Sequence, residues 1–205
     1  MPLYRDEAEQ LLRGQFTEYF DGLEEQLLAL KKLLDDDDWS FVIKTQALIE
    51  ACVTNVLITH IGDERLKKTV ELLPLADEEV GKLAMAKSLG LITSPQRRFI
   101  KRMAALRNKL AHRVDHISFT FEEYVLNLDA SSLKDWKLSL SWHSIEGDSY
   151  EYWLSTAEKQ PKLAIMLATF LLAANLLLTA TETDSKRKIN AASLRTAEEL
   201  YSILK

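Results

Sequence analysis

The chain has 205 residues, of which 47% are hydrophobic and 28% charged, and its formal net charge is −5. These values are typical of a globular protein and exclude a disordered chain. The negative total also excludes a protein covered with nucleic-acid-binding charge, although it leaves room for a local basic patch. The length fits one domain, residues 1–205.

The single cysteine, Cys52, lies in an apolar run and is interpreted as a small core residue rather than as a nucleophile. One cysteine cannot form an internal disulfide, which fits a reducing compartment. The first ten residues, MPLYRDEAEQ, have no apolar region of the signal-peptide type. We therefore expect a cytoplasmic protein.

The first third of the chain predicts two helices. Apolar residues at helical spacing predict one helix over residues 16–34, and four aspartates, 35–38, end it. Those aspartates lack the alternation and the central glycine of a calcium loop. Asp38 or Ser40 is predicted to cap a second helix, 40–61, which is apolar around most of its circumference and so belongs at the centre of a bundle.

Shorter elements follow, and turn residues bound them. Helices are predicted near 64–73, before Pro74, and near 79–89, before Gly90. A stronger signal for a helix start follows. Thr93 is a capping residue, Pro95 suits the first turn, and Gln96 lies three residues after Thr93. This signal predicts a helix over 95–112.

The next part of the chain carries a weaker strand signal. Thr120 and Glu123 have the spacing of a capping box. Residues 136–142, WKLSLSW, alternate between apolar and polar, and Gly147–Asp148 is a turn signal. We predict a short β-hairpin or a long loop near 136–155.

Two helices, near 161–180 and 190–204, are predicted to close the chain. The apolar run within the first of them is long enough to span a bilayer, but Thr169 and Asn175 interrupt it. We interpret this helix as a buried bundle helix and expect no membrane contact.

The helix predicted over 95–112 is unusually basic. From Arg97 to Arg113 the chain has seven Lys or Arg residues and no acid. On a helical wheel one face is apolar, formed by Phe99, Ile100, Met103, Leu106 and Leu110. A basic face lies opposite and is a candidate for binding nucleic acid or an acidic partner; it is formed by Arg97, Arg98, Lys101, Arg102, Lys109 and Arg113.

Arg107 is the exception, because the wheel places it in the apolar sector. A buried guanidinium without a partner costs several kcal/mol, so it must meet a carboxylate, carbonyls, another subunit or an anion. Glu50 lies in an otherwise apolar helix and is the nearest candidate carboxylate. One hypothesis is therefore a buried Arg107–Glu50 pair that fixes helix packing.

The competing hypothesis is catalytic and joins Arg107, Asn108 and His112. A histidine that moves protons near neutral pH, beside a fixed cation, is a workable RNA-cleaving pair, and Asn108 could position either group. On a straight helix, Arg107 and His112 differ by about 140°, so they need not share a face. If the helix loosens near residue 111, the imidazole can turn towards the guanidinium. Two copies that face each other across a dimer interface would supply both an acid and a base.

Other chemical patterns are poorer. His112 and His116 have the i,i+4 spacing of metal ligands, but the helix is predicted to end between them and no cysteine pair or HExxH accompanies them. The chain has no P-loop, no GxGxxG and no nucleophile elbow. We predict no metal and no cofactor.

Three blocks of sequence carry a family resemblance. They are Ser40–Ile43 opening the helix that contains Glu50, Lys82–Ile92 ending in a leucine-glycine-leucine-isoleucine turn, and Leu106–His112 followed by Phe119–Glu123. On these blocks, residues 38–127 resemble the mannitol operon repressor family, a branch of the HEPN superfamily of helical bundles.

The resemblance implies an all-α antiparallel bundle that dimerises through the helices carrying the last block. It also implies two activities. Many HEPN proteins are metal-independent ribonucleases with an Arg, then four to six residues beginning with a polar one, then a His, and Arg107, Asn108 and His112 match that pattern. Mannitol repressor relatives are described instead as transcriptional regulators.

We therefore expect an all-α homodimer with a HEPN-like core at 38–127 and further helices at 158–205. The leading functional interpretation is a regulator that works through protein or RNA contacts, because no helix-turn-helix for reading DNA is recognisable. The alternative is a metal-independent endoribonuclease, acting as a toxin or a defence effector.

Overall fold

The computed structural model describes residues 21–22, 24, 27–28, 30–77, 79–112, 117–144 and 146–203. The regular structure of these residues is helical throughout, so the predicted all-α class is confirmed. The helices are, in chain order, α1 Asp38–Ile61, α2 Glu64–Leu72, α3 Lys82–Ser88, α4 Ser94–Ala111, α5 Phe121–Leu126, α6 Ala130–Leu140, α7 Asp148–Lys159 and α8 Pro161–Ile203. Of the predicted helix 16–34, the part before residue 21 lies outside the described residues; residues 30–33 are helical.

The core forms around α1 and α8, which pack against each other. Helices α2, α3 and α4 also pack against α1, and α7 packs against α8. The buried side chains of α8 are mostly small or aliphatic and include Ala164, Ile165, Ala168, Leu172 and Leu176. Small side chains allow close approach of the two helix backbones, and each fully buried Ile or Leu contributes about 1.5–3 kcal/mol.

Contacts at both ends show that α1 and α8 run parallel. At their first turns, the Lys162 Nζ lies 3.4 Å from the Asp38 carboxylate and donates a hydrogen bond to the Asp36 carbonyl. At the far end, the Arg187 Nη2 donates to the carbonyls of Thr59 at 2.8 Å and His60 at 3.1 Å. The expectation of an antiparallel bundle is therefore wrong for this central pair.

Local capping signals account for where the helices begin. Thr93 and Gln96 form the predicted capping box: the Thr93 Oγ1 accepts from the Gln96 N–H at 3.4 Å, and the Gln96 Oε1 accepts from the Thr93 N–H at 2.8 Å. The cap of α1 is Asp37, rather than the predicted Asp38 or Ser40. Its carboxylate accepts from the Ser40 side chain and N–H, which holds the pKa of Asp37 below its usual value.

Asp38 has a different role and fixes α5 to the start of α1. Its Oδ2 accepts from the Phe121 N–H at 2.9 Å. Thr120 caps α5 as predicted, because its Oγ1 accepts from the Glu123 N–H at 3.3 Å. These bonds position α5 beside the end of α4.

The hairpin predicted near 136–155 is wrong, because α6 and α7 cover most of that range. Trp136, Ser139 and Leu140 are all buried, which is the i, i+3, i+4 pattern of a helix. The indole N–H of Trp136 donates to the Ala157 carbonyl at 2.8 Å and ties α6 to α7. The alternation failed as a strand signal because Ser139 is polar yet completely buried.

The two predicted C-terminal helices are one continuous helix of 43 residues, α8. The charged stretch that was expected to separate them contains two i,i+4 ion pairs, Glu182–Lys186 and Asp184–Lys188, each at 2.6 Å. Such pairs stabilise a helix, and no glycine or proline interrupts it there.

Among the described residues, α1 and the 161–195 part of α8 are long and apolar enough to cross a bilayer, by length and composition alone. These are the two helices that pack on each other at the centre of the bundle. Core helices of water-soluble bundles have the same length and composition, so this finding leaves the expectation of no membrane contact as a prediction.

Candidate functional site

The apolar face of α4 is buried, as the helical wheel predicts. Phe99, Ile100, Met103, Leu106 and Leu110 are each at most 3% exposed. Helix α4 packs this face against α1 and α6. Burial of five large apolar side chains anchors the helix firmly from its first turn to Leu110.

The predicted basic face is smaller in the structure than on the wheel. Arg102 forms an ion pair with Asp135 of α6, so its charge serves helix packing. The remaining members differ in exposure: Arg98 and Lys109 are exposed, Arg97 and Lys101 are half-buried, and Arg113 lies outside the described residues. The binding role of this basic face stays a prediction, with Arg102 engaged in the ion pair to Asp135.

Glu50 does not pair with Arg107, and this prediction is wrong. The Glu50 Oε1 lies 2.8 Å from the Nζ of Lys82, the first residue of α3. The Lys82 side chain is 2% exposed, so the carboxylate compensates a buried ammonium. Lys82 was not predicted as the partner of Glu50. The signal that could have indicated it is a lysine at the start of an apolar helical stretch.

Arg107, Asn108 and His112 are all exposed at the carboxyl-terminal end of α4. The Arg107 Nη1 donates a hydrogen bond to the Asn108 Oδ1 at 3.1 Å, and no carboxylate among the described residues neutralises it. The wheel placed Arg107 in the apolar sector correctly by angle. Leu106 and Leu110 are buried, so the neighbouring helices cover α4 as far as its last turn but leave the Arg107 side chain exposed.

The structure brings Arg107 and Asn108 together but does not bring His112 to them within one chain. Helix α4 is regular through Ala111, and His112 is its C-terminal cap residue. Five residues along a regular helix separate two side chains by about 140° and about 7.5 Å along the axis. One copy of α4 therefore does not direct both groups at one phosphate.

A cavity of about 340 Å³ opens beside this end of α4. It is lined by Lys109 and Leu110 of α4 and, from α5 and the turns that flank it, by Phe119, Glu123, Tyr124 and Asn127 among others. In the sequence, Thr120 and Glu123 were interpreted as capping residues and as part of the Phe119–Glu123 block, and not as the wall of a cavity. The aromatic residues of the segment ISFTFEEY were the signal that could have indicated a binding surface.

The remaining candidates behave as ordinary structural groups. Cys52 is half-buried, and burial raises the pKa of its thiol to about 11, so the thiol is protonated at neutral pH. Across the part of the chain that the structure describes, no three His, Cys, Asp or Glu side chains are grouped to hold a metal ion. His116 lies outside the described residues.

No protein-family model, curated protein or solved structure matches the chain. The resemblance of residues 38–127 to mannitol operon repressors rests on the three sequence blocks.

Proposed function

We propose that the protein is a metal-independent endoribonuclease of the HEPN type, with Arg107 and His112 as its reactive pair. The observation that carries this proposal is the exposure of Arg107, whose hydrogen-bond partner is the neighbouring Asn108. A structural arginine would be paired in the core, and Lys82 occupies the place beside Glu50 that such a role needed. The exposed guanidinium is open to an RNA phosphate, which supports the proposal.

The chemistry follows from the two side chains. A neutral His112 imidazole takes the proton of a ribose 2′-hydroxyl, and the 2′-oxygen attacks the adjacent phosphorus. The bond from phosphorus to the 5′-oxygen breaks, and the same imidazole, now protonated, donates that proton to the leaving oxygen. The products are a 2′,3′-cyclic phosphate and a 5′-hydroxyl. The Arg107 guanidinium, oriented by Asn108, stabilises the charge on the phosphoryl oxygens.

The proposal includes a homodimer in which the ends of two α4 helices meet. One helix points Arg107 and His112 in different directions, so a site with both groups forms when Arg107 of one copy faces His112 of the other. The exposed side chains beside them include Ala105 and Ala111, which are small enough to let a second helix approach closely. In keeping with the composition, we propose a cytoplasmic protein with RNA as its partner and no cofactor.

The test is cleavage of a mixed pool of single-stranded and structured RNA in the presence of EDTA. We expect wild type to leave cyclic-phosphate ends and His112→Ala to lose about 10²- to 10⁴-fold in rate, the usual contribution of a general acid or base. Arg107→Ala should lose activity as well, whereas Arg195→Ala is the control because it removes an exposed arginine of α8, which carries none of the candidate site residues. Wild-type protein that cleaves no RNA, or equal losses in Arg195→Ala and Arg107→Ala, would contradict the proposal.

A regulator that binds RNA or an acidic protein without cleavage is the second candidate. The observation that favours it is the regularity of α4 through Ala111, which keeps Arg107 and His112 apart in a single copy. Binding needs only Arg107 and Asn108 and tolerates His112→Ala. Sequence-specific DNA binding is not part of this proposal. Helices α3 and α4 flank a short turn as in a helix-turn-helix, but the second of them, α4, buries one face in the core.

A further inference from the structure

The cavity beside the end of α4 has an aromatic wall. Phe119 and Tyr124 are both half-buried, and their ring centroids lie 5.7 Å apart. Tyr124 also packs edge-on against the buried ring of Trp136, with centroids 5.2 Å apart. These contacts hold the tyrosine ring in place before any ligand arrives, which lowers the entropic cost of stacking a flat molecule on it.

The polar groups of the cavity are of two kinds. Glu123 is exposed and, when ionised, only accepts hydrogen bonds. One N–H of the Asn127 Nδ2 donates to the Glu123 carbonyl at 2.8 Å, which leaves the second N–H as a donor and the amide oxygen as an acceptor. The Lys109 ammonium lies 5.5 Å from the centroid of the Tyr124 ring and is a donor on a flexible chain.

This arrangement of donors and acceptors matches guanine better than the other bases. Guanine presents two adjacent donors, N1–H and the N2 amino group, which a carboxylate accepts in a bidentate manner. Its O6 and N7 are acceptors that a lysine commonly binds. Adenine and cytosine place a ring acceptor beside a single amino group, and uracil has one ring N–H, so none of them satisfies Glu123 in this way.

The cavity is also correctly placed relative to the proposed reactive pair. Lys109 lines it and lies three residues before His112, about 60° around the helix and about 4.5 Å along its axis, whereas Arg107 lies about 160° from Lys109. A nucleotide whose base lies in the cavity therefore has its phosphate on the His112 side of that copy, and in the proposed dimer Arg107 of the other copy faces it. We propose that the cavity binds the guanine base of single-stranded RNA next to the bond that is cleaved, an inference that rests on the proposed function.

The test uses free nucleotides, so that it does not depend on cleavage. Binding of guanosine, inosine and adenosine 3′-monophosphates is measured by calorimetry; inosine lacks only the N2 amino group. We expect wild type to prefer the guanosine nucleotide over both others by at least about fivefold, the discrimination of one good bidentate pair. Glu123→Gln should abolish this preference, because the amide places a donor opposite a donor.

Glu122→Gln is the matched control, since Glu122 is the exposed neighbour that lines a different groove. It should keep the preference, and circular dichroism should show both variants folded. Wild type that cleaves RNA through His112 but binds the three nucleotides equally would overturn the guanine subsite and leave the nuclease standing. Guanosine binding that needs Glu123, in a protein that cleaves no RNA, would support the subsite and overturn the nuclease. Equal losses in the two variants would overturn the subsite.

Discussion

The two parts of α4 differ sharply although one regular helix contains both. From Ser94 to Leu106 the helix is embedded: its apolar face is buried, and Arg102 pairs with α6. From Arg107 to His112 every side chain except Leu110 is exposed. Arg102 serves the packing between helices, whereas Arg107 is exposed although Leu106 and Leu110 are buried. Which side chains the neighbouring helices cover is thus more informative about function than the number of charges.

The largest contrast is expected in stability. Phe99→Ala should lower the free energy of unfolding by about 3–5 kcal/mol, because it leaves a cavity in the core. Arg107→Ala should change it by no more than about 0.5 kcal/mol, as surface substitutions do. Urea unfolding followed by circular dichroism measures both. A large loss in Arg107→Ala would show that the arginine has a packing role after all.

The two ends of α4 should also differ as caps. Thr93→Ala removes a capping box and should cost about 1 kcal/mol of unfolding free energy. Thr93→Ser keeps the hydroxyl and is the control. His112→Ala at the other end should leave the unfolding midpoint in urea nearly unchanged, because its side chain is exposed. Similar losses of stability in Thr93→Ala and His112→Ala would contradict a structural role for Thr93 that His112 lacks.

A smaller effect is expected from the paired arginine. A double-mutant cycle with Arg102→Ala and Asp135→Ala should give a coupling of about 0.5–1 kcal/mol, which is usual for a partly exposed ion pair. The same cycle with Arg98 in place of Arg102 should give none. Zero coupling for Arg102 would mean that the start of α4 carries a freer basic surface than the structure indicates.

The smallest effect concerns acid sensitivity at a histidine away from the site. His143 packs edge-on against Trp142 and Trp153, and burial lowers its pKa. In the unfolded chain the imidazole is protonated near its ordinary pKa of about 6.5, whereas in the folded protein it is protonated only at lower pH. The unfolded state therefore binds more protons, and the free energy of unfolding falls as the pH drops through about 6.5. His143→Gln should flatten this part of the stability profile between about pH 5 and 7.5. An unchanged slope would contradict the assignment.

The sequence predicted the features of this fold that local signals determine. The start of α4 was correct because Thr93, Pro95 and Gln96 act on their own neighbours. Features that depend on distant packing were missed. The wheel gave the direction of Arg107 but not the reach of the covering helices, and the alternation around Trp136 could not show that a serine would be buried. At the candidate site, Arg107 was predicted to lie in the apolar sector and is exposed, and the partner of Glu50 is Lys82 rather than Arg107.

The most direct test of the central claim is to mix two inactive variants. If Arg107 and His112 act across two copies, an Arg107→Ala protein refolded with a His112→Ala protein forms mixed dimers that each contain one intact site. Random pairing then restores about a quarter of wild-type RNA cleavage, measured with EDTA present. Light scattering should show the same dimer for the mixture and for wild type. A mixture as inactive as its two components, beside an active wild type, would contradict a shared Arg107–His112 site.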